Sequence, residues 1–546
     1  MTSEKQWDLK RQKKIAKMAK VAPMMQGKYI NSSDIVAALE ALISPGDRVV
    51  LEGDNQKQAS FLSEKLLEVD VNKVNQLHMI MPSVSRPEHL TIFEKGIAEK
   101  LDFSYAGAQS LRISQMIEDQ VVKLGDIHTY LELYGRLFID LTPNVVLVAA
   151  DKADSEGNLY TGFNTEETPT IVEAAAFKDG IVIVQVNEKV DQLPRIDIPA
   201  SWVDAIVVAD EPYILEPLFT RDPKAITEIQ ILMAMMAIRG IYEKHQVTSL
   251  NHGIGFNTAA IELLLPTYGE QLELRGKSAK HWALNPHPTM IPAIESGWVE
   301  SIHSFGGEVG MERYICARPD IFFTGRDGSM RSNRAMCQVA GQYAVDMFIG
   351  SSLQIDRDGN SSTVTLGRLS GFGGAPNMGH DPGGRRHSTA AWLDLAGKEE
   401  LAKGRKIVVQ MVETYGANKK PVIVDRLDAI EVKKQANLPI VPIMIYGDDT
   451  THLVTEEGIA YLYKAEGLEE RRAAIAAIAG VTPIGDSVAE ATVQSLRDRG
   501  IVALPEDLQV ARTEAKRSLL AAYSIEDLVT WSGGLYEPPK QFRSWS

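Results

Sequence analysis

Cysteine is nearly absent. Only Cys316 and Cys337 occur in 546 residues, with no C-x-x-C pair, which gives neither a disulfide framework nor a cysteine metal signature and suits a reducing, cytoplasmic compartment. Long apolar runs are absent as well: none approaches the ~18 residues that cross a bilayer, so no membrane partner is expected. Basic charge is in deficit. Against 72 Asp and Glu stand 57 Lys and Arg, a net charge of −15, and such a chain is poorly suited to hold nucleic acid by neutralising phosphates. His252, His281, His287, His303, His380 and His387 form no H-E-x-x-H or other compact ligand spacing, so no metal is expected. There is no G-x-S-x-G elbow, no phosphate-loop lysine, and no well-spaced dinucleotide fingerprint.

What remains is ordinary globular composition, 44% hydrophobic and 24% charged, over a length suited to roughly three or four domains of about 150 residues. Residues 1–27 form a basic arm, opening MTSEKQWDLKRQKKIAKMAK, without the apolar centre of a secretory signal. It reads as a solvated helix, or as a docking segment for an acidic partner. Beyond it, apolar runs alternate with helical stretches: DRVVLEGD (47–54), NVVLVAADKAD (144–154), IVIVQVNE (181–188) and DAIVVADE (204–211). Runs of this kind, ended by polar turn residues, predict strands buried on both faces of a parallel or mixed α/β sheet. From Pro212 the chain is expected to turn helical, with a Met-rich face that serves packing. A second α/β series opens at NHGIGFNTAAIELLL (251–265) and continues through DIFFTGRDG, STVTLGRLSGFGG, KIVVQMV and PVIV. The chain thus divides into the arm, a first α/β domain (28–230), and a second (231–546) that includes a C-terminal extension.

Three stretches carry chemistry. In GIGFNTAA, Gly253 and Gly255 bracket a tight turn, and the helix beyond directs N–H groups at an anion, although glycine turns between strand and helix are common. ADKADSEGNLYTGFNTE (150–166), which holds Asn164, is a polar excursion after a buried strand, where open α/β sheets bind ligands. A surface hairpin has the same appearance. RLSGFGGAPNMGH (368–380) packs three glycines into four positions, Gly371-Phe372-Gly373-Gly374, ahead of Ala375, Pro376 and Asn377. Glycine clusters in ordered chain mark positive φ or a close approach to the main chain. Consecutive N–H groups there suit an oxyanion hole for a thioester under attack; a purely structural turn is the alternative. Arg385 and Arg386, in DPGGRRHS, either clamp a carboxylate or stand exposed, and Arg368 precedes the loop.

ADKADSEGNLYTGFNTE, IVIVQVNEKVDQLP and SWVDAIVVADEP resemble the first half of the CoA-transferase and acetyl-CoA hydrolase superfamily. HGIGFNTAAIELLL, LSGFGGAPN and HLVTEEGIAYLYKAEGLEERRAAIAAIA resemble its second half, in the superfamily's order from about residue 45 to 482. GFGGAPNMGHDPGGRRHS and TWSGGLYEPPKQFR narrow the resemblance to the malonate decarboxylase alpha-subunit family. This implies two tandem CoA-transferase-type α/β domains with the active site between them. It also implies a reaction, transfer of a CoA-type thiol from an acetyl thioester to malonate, giving malonyl thioester and acetate. The thiol belongs to coenzyme A or to a CoA-like group on an acyl carrier protein, as substrate and not as a permanently bound cofactor. Other decarboxylase subunits would be partners, and a homo-oligomer is compatible with the resemblance.

By position, the resemblance makes Gly373, Gly374 and Asn377 catalytic. Gly253, Gly255, Gly371, Phe372, Ala375 and Asn164 would hold the thioester, and Arg385, Arg386 or Arg368 the substrate carboxylate. One departure stands out. Related transferases carry a nucleophilic Glu where His281-Trp282-Ala283-Leu284-Asn285 places Ala283, and Glu308, in SFGGEVG, is the nearest substitute. The missing Glu keeps two other readings open: a non-catalytic scaffold that holds the carrier, and a thioester hydrolase.

Overall fold

The computed structural model describes residues 6–54, 57–330, 334–381 and 406–543. Its two main sheets, of ten and eight strands, draw on separate stretches of the chain. In the first, parallel strands lie in the order Tyr29–Ile30, Ala205–Val208, Ile181–Lys189, Val145–Ala153, Arg48–Leu51, Leu77–Ser83, Ala98–Tyr105 and Lys123–Ile127. Arg48–Leu51 starts in the middle, the chain steps outward to Lys123–Ile127, then returns to the other side at Val145–Ala153. The first six residues of Val145–Ala153 and of Ile181–Lys189 are all buried. Alternate side chains feed different cores: Val145, Leu147 and Ala149 enter one cluster, and Val146, Val148 and Ala150 the other. That double burial is why these strands read as unbroken apolar runs.

The second sheet repeats the plan. Ser249–His252 starts it, His281–Leu284 and Ser301–Ser304 extend one side, and Met347–Gly350, Ile407–Met411 and His452–Thr455 the other, all parallel. Gly458–Tyr461 and Val502–Ala503 close the edge antiparallel. The direction of travel therefore reverses between Ser249–His252 and Met347–Gly350, and such reversals open a crevice at the carboxyl ends of the strands.

Two local expectations change, and the arm keeps its helical reading. The stretch after Pro212 forms no α-helix until Glu228: Pro212, Pro217 and Pro223 interrupt it, a single 3-10 turn stands at Pro223–Ala225, and Glu228–Ala237 begins where Thr227 and Gln230 form a capping box. Met233, Met235 and Met236 of that helix are buried in the second-sheet core, so its methionines do serve packing. DIFFTGRDG forms no strand, only single bridges from Phe322 to Ile302 and Thr324 to Met330. The basic arm is a helix, Gln6–Val21, whose cations take carboxylates of the same chain, Lys14 with Asp204 at 2.7 Å and Lys17 with Asp47 at 2.9 Å. Among the described residues no helix is long and apolar enough to cross a membrane.

Candidate active site

A cleft of about 350 Å³ opens at the reversal point of the second sheet. Gly253 and Gly255 line it after Ser249–His252, and Gly350 and Ser351 after Met347–Gly350. Gly253 sits where any Cβ would lie 3.0 Å from the Gly350 Cα, so the two strand ends approach as closely as main chain allows. The opposite wall comes from the first sheet: Tyr105 ends one strand, and Tyr130 follows the next.

The glycine loop joins these walls. Although it follows Arg368–Leu369 in the second half, its backbone bonds run to the first. Ala106 donates to the Ser370 carbonyl at 2.9 Å, Phe372 and Gly373 both donate to that of Ser104 at 2.7 and 2.9 Å, and Tyr130 donates to that of Gly373 at 3.1 Å. Gly371 and Gly373 have φ of +69° and +57°, and a Cβ at Gly371 would fall on the Ser104 carbonyl oxygen. Glycine is required here by a left-handed backbone lying against main chain. One consequence alters the expected chemistry. The Gly373 N–H is already committed to Ser104, whereas the Gly374 N–H donates to no protein acceptor among the described residues, and Gly374 lines the cleft.

Gly371, Phe372, Ala375 and Arg368 also line it, the last with Nε donating to Ser370 Oγ at 3.2 Å. Arg385 and Arg386 lie outside the described residues. Asn377 is turned away: its Nδ2 donates to Gln338 Oε1 at 3.2 Å, and it lines a neighbouring cavity of about 290 Å³. Asn164 is not in the cleft wall. Its Oδ1 accepts from the Gly307 N–H at 2.9 Å and braces the loop after Ser301–Ser304. Ala283 is buried in His281–Leu284, its carbonyl taking a hydrogen bond from the Asn251 amide.

Behind the cleft lies a buried charged cluster. Glu262, fully enclosed, accepts from His252 Nδ1 at 2.9 Å, His287 Nε2 at 2.9 Å and Thr289 Oγ1 at 2.5 Å, and Tyr242 donates to His252 Nε2 at 2.7 Å. Burial works against the Glu262 charge, but the His287 charge and the histidine hydrogen bonds outweigh it and hold the carboxyl well below its usual range. Burial likewise opposes the His287 charge, and Glu262 overcomes it and raises that pKa.

Glu308 behaves oppositely. Its Oε1 accepts from the Thr220 N–H at 3.0 Å and the Thr220 hydroxyl at 2.8 Å, its Oε2 has no hydrogen-bond partner among the described residues, and burial pushes its pKa up to about 7. Because the folded value lies above the ordinary 4.5, the folded state holds the extra proton between those limits. Stability is then lost as pH rises through that window. Glu308→Gln, which keeps an oxygen for Thr220, is expected to match the parent near pH 4 and to exceed it at pH 8 by on the order of 3 kcal/mol. Chemical unfolding at both pH values checks this, and a less stable variant at pH 8 would contradict it.

A family model described as "Malonate decarboxylase, alpha subunit, transporter" matches residues 6–545. The chain belongs to the malonate decarboxylase alpha-subunit family. This member is 58% identical over 526 residues, 95% of each chain, to a Malonomonas rubra protein named "Acetyl-S-ACP:malonate ACP transferase". Its fold superposes on a chain of a Pseudomonas malonate decarboxylase hetero-tetramer crystallised with malonate, with a TM-score of 0.96, 65% identity, and 99% and 100% of the two chains covered. A malonate decarboxylase alpha subunit from Acinetobacter baumannii gives 0.94 and 64%, with the same coverage.

In this family member the described residues contain one trio with ligand atoms close enough for a metal, Asp126, His128 and Glu132, within 4.8 Å of one another. His128 is already engaged by Asp102 at 2.7 Å and Glu132 at 3.1 Å. Cleft residues that sequence reasoning missed are Tyr105, Tyr130, Arg221, Asn251 and Asn285. Asn251 opens the NHGIGF turn and Asn285 ends the stretch that lacks the Glu, whereas Tyr105, Tyr130 and Arg221 stand in stretches without such a mark. The position of Tyr105 and Asn251, in or at the end of apolar strands, offered a further signal.

Proposed function

We propose that the chain transfers a CoA-type thiol from an acetyl thioester to malonate, releasing acetate and giving the malonyl thioester that opens malonate decarboxylation. The observation that carries this is the cleft itself, where a glycine loop bonded to the first sheet brings Gly374, whose N–H has no protein acceptor among the described residues, into one lining with Gly253 and Gly255. The likeness to a protein named for acetyl-S-ACP:malonate transfer supports it. The Gly374 N–H stabilises the thioester oxygen as charge grows on it. Gly253, Gly255, Gly371, Phe372 and Ala375 shape the wall along which the thioester lies. Gly373 acts by anchoring the loop, Asn377 by holding Gln338, and Asn164 by bracing Gly307. The thiol is that of a prosthetic group on an acyl carrier protein, with coenzyme A as its free counterpart, and the remaining decarboxylase subunits are the partners that use the product.

The test is to incubate the pure chain with acetyl-CoA and malonate. Malonyl-CoA and acetate in equal amounts are expected. Acetate without malonyl-CoA would make the chain a hydrolase, and neither product would make it a scaffold for the carrier.

A further inference from the structure

The segment joining the two sheets carries a cation that the chemistry above leaves unused. Arg221 lines the cleft and is half-buried. Its Nη1 donates to the carbonyls of Leu218 at 2.8 Å and Thr220 at 3.0 Å, which fixes the guanidinium through its own linker. Its Cζ stands 5.8 Å from the ring centroid of Phe256, the first residue of the helix that follows Gly255. Among the described residues no Asp or Glu forms an ion pair with it. Glu308 is tied to Thr220 next door and does not line the cleft. A charge withdrawn from water without an ion-pair partner is expensive, and burial lowers the Arg221 pKa, with Tyr105 and Glu308 acting against that shift.

The other cleft arginines are differently placed. Arg334 is buried and ion-paired to Glu166 at 2.7 Å. Arg368 is exposed and held by Ser370. Facing the same space is Tyr105, whose hydroxyl has no partner among the described residues and whose phenol feels the Arg221 charge. A planar guanidinium beside a phenol O–H offers convergent donors of the kind that grip a carboxylate.

We propose that Arg221 and Tyr105 bind the carboxylate of malonate that does not react, and so select a dicarboxylate over a monocarboxylate. This rests on the transfer activity proposed above. Malonate then spans the cleft, with one carboxylate at the thioester and the other on the linker cation. Acetate, lacking the second carboxylate, uses only the reacting end. Its oxygen attacks the acetyl thioester to give acetic anhydride and thiolate, and the thiolate then attacks either carbonyl, returning acetate and acetyl thioester.

The experiment compares malonyl-CoA formation with exchange of labelled acetate into acetyl-CoA, using the full chain. Arg221→Gln is expected to raise the KM for malonate by about 30-fold or more while the KM for acetyl-CoA shifts by less than about threefold, so the preference for malonate over acetate collapses. Arg221→Lys should recover part of it, and Tyr105→Phe should raise the malonate KM by about three- to tenfold. Thermal unfolding identifies any variant that fails to fold, and the remaining two then decide. An unchanged malonate KM, an equal rise for acetyl-CoA, or the same loss produced instead by Arg368→Gln would each overturn the assignment. A wild-type chain that makes no malonyl-CoA overturns the transfer itself, and is told apart from those results because it needs no variant.

Discussion

Alanine at Gly371 is expected to destabilise the fold, and alanine at Gly374 to abolish most turnover while leaving the fold in place. The two positions are three residues apart on one loop, but their surroundings differ. At Gly371 a side chain must adopt φ near +69° and would strike a main-chain oxygen, that of Ser104, which has nowhere to move. Left-handed backbone costs an L-residue about 1–2 kcal/mol, and the collision adds to it, so a loss on the order of 3 kcal/mol or more is expected. At Gly374 the backbone is ordinary, with φ −92° and ψ −5°, and the added Cβ would press on the Gln338 side-chain amide. Relieving that pressure is expected to shift the N–H proposed above to meet the developing charge. Loss of one such donor is expected to lower turnover on the order of 10²-fold. Thermal unfolding and kcat of both variants check the contrast. A stable Gly374→Ala protein with near-native turnover would remove this N–H from the chemistry.

The second large effect is kinetic. Among the described residues no Asp or Glu lines the cleft. Ala283 cannot form an acyl anhydride, Glu308 is closed off against Thr220, and Glu262 is bound by two histidines and a threonine. The covalent route, in which an enzyme carboxylate accepts the acyl group and gives parallel initial-rate lines, has no carboxylate at the thioester. On the function proposed above, malonate is expected to attack the acetyl thioester itself. Its oxygen bonds to the acetyl carbon as the C–S bond breaks, which leaves an acetyl-malonyl anhydride and a thiolate. The thiolate then attacks the malonyl carbonyl and expels acetate. Both reactants must be present together, so the cleft supplies proximity in place of a covalent enzyme intermediate. Intersecting initial-rate lines are expected, together with no glutamate reduced to its alcohol when borohydride follows acetyl-CoA alone. Reduction at residue 308 or 262, with parallel lines, would establish the covalent route instead.

The strands were readable because burial on both faces writes itself into consecutive residues, as in VVLVAA and IVIVQV. Gly253, Gly255 and the Gly371–Gly374 loop were readable for a related reason: close main-chain approach leaves a local mark in glycine. The division of labour inside the loop was not. That Ser104 takes the Gly373 N–H and leaves that of Gly374 depends on a residue far away in sequence. Arg221 left no mark at all, since one arginine in a proline-interrupted linker looks like any surface cation. Residues 212–227 form no α-helix, only a 3-10 turn at Pro223–Ala225, because three prolines outweighed apolar spacing. Asn164 lies on an excursion of which no described residue lines the cleft, and the side chains of Asn164 and Asn377 brace the Gly307 backbone and Gln338.

The docking of Phe372 and Gly373 onto Ser104 also has a consequence for biosynthesis. Roughly 270 residues separate donor from acceptor, so at about 5–20 residues per second the ribosome needs on the order of tens of seconds to deliver the loop after Ser104 has been made. During that interval the Ser104 carbonyl and the strand ends beside it face solvent or a chaperone in place of their partners. On the function proposed above, a nascent chain already holds most of the cleft wall but lacks its oxyanion donor until the loop closes onto Ser104.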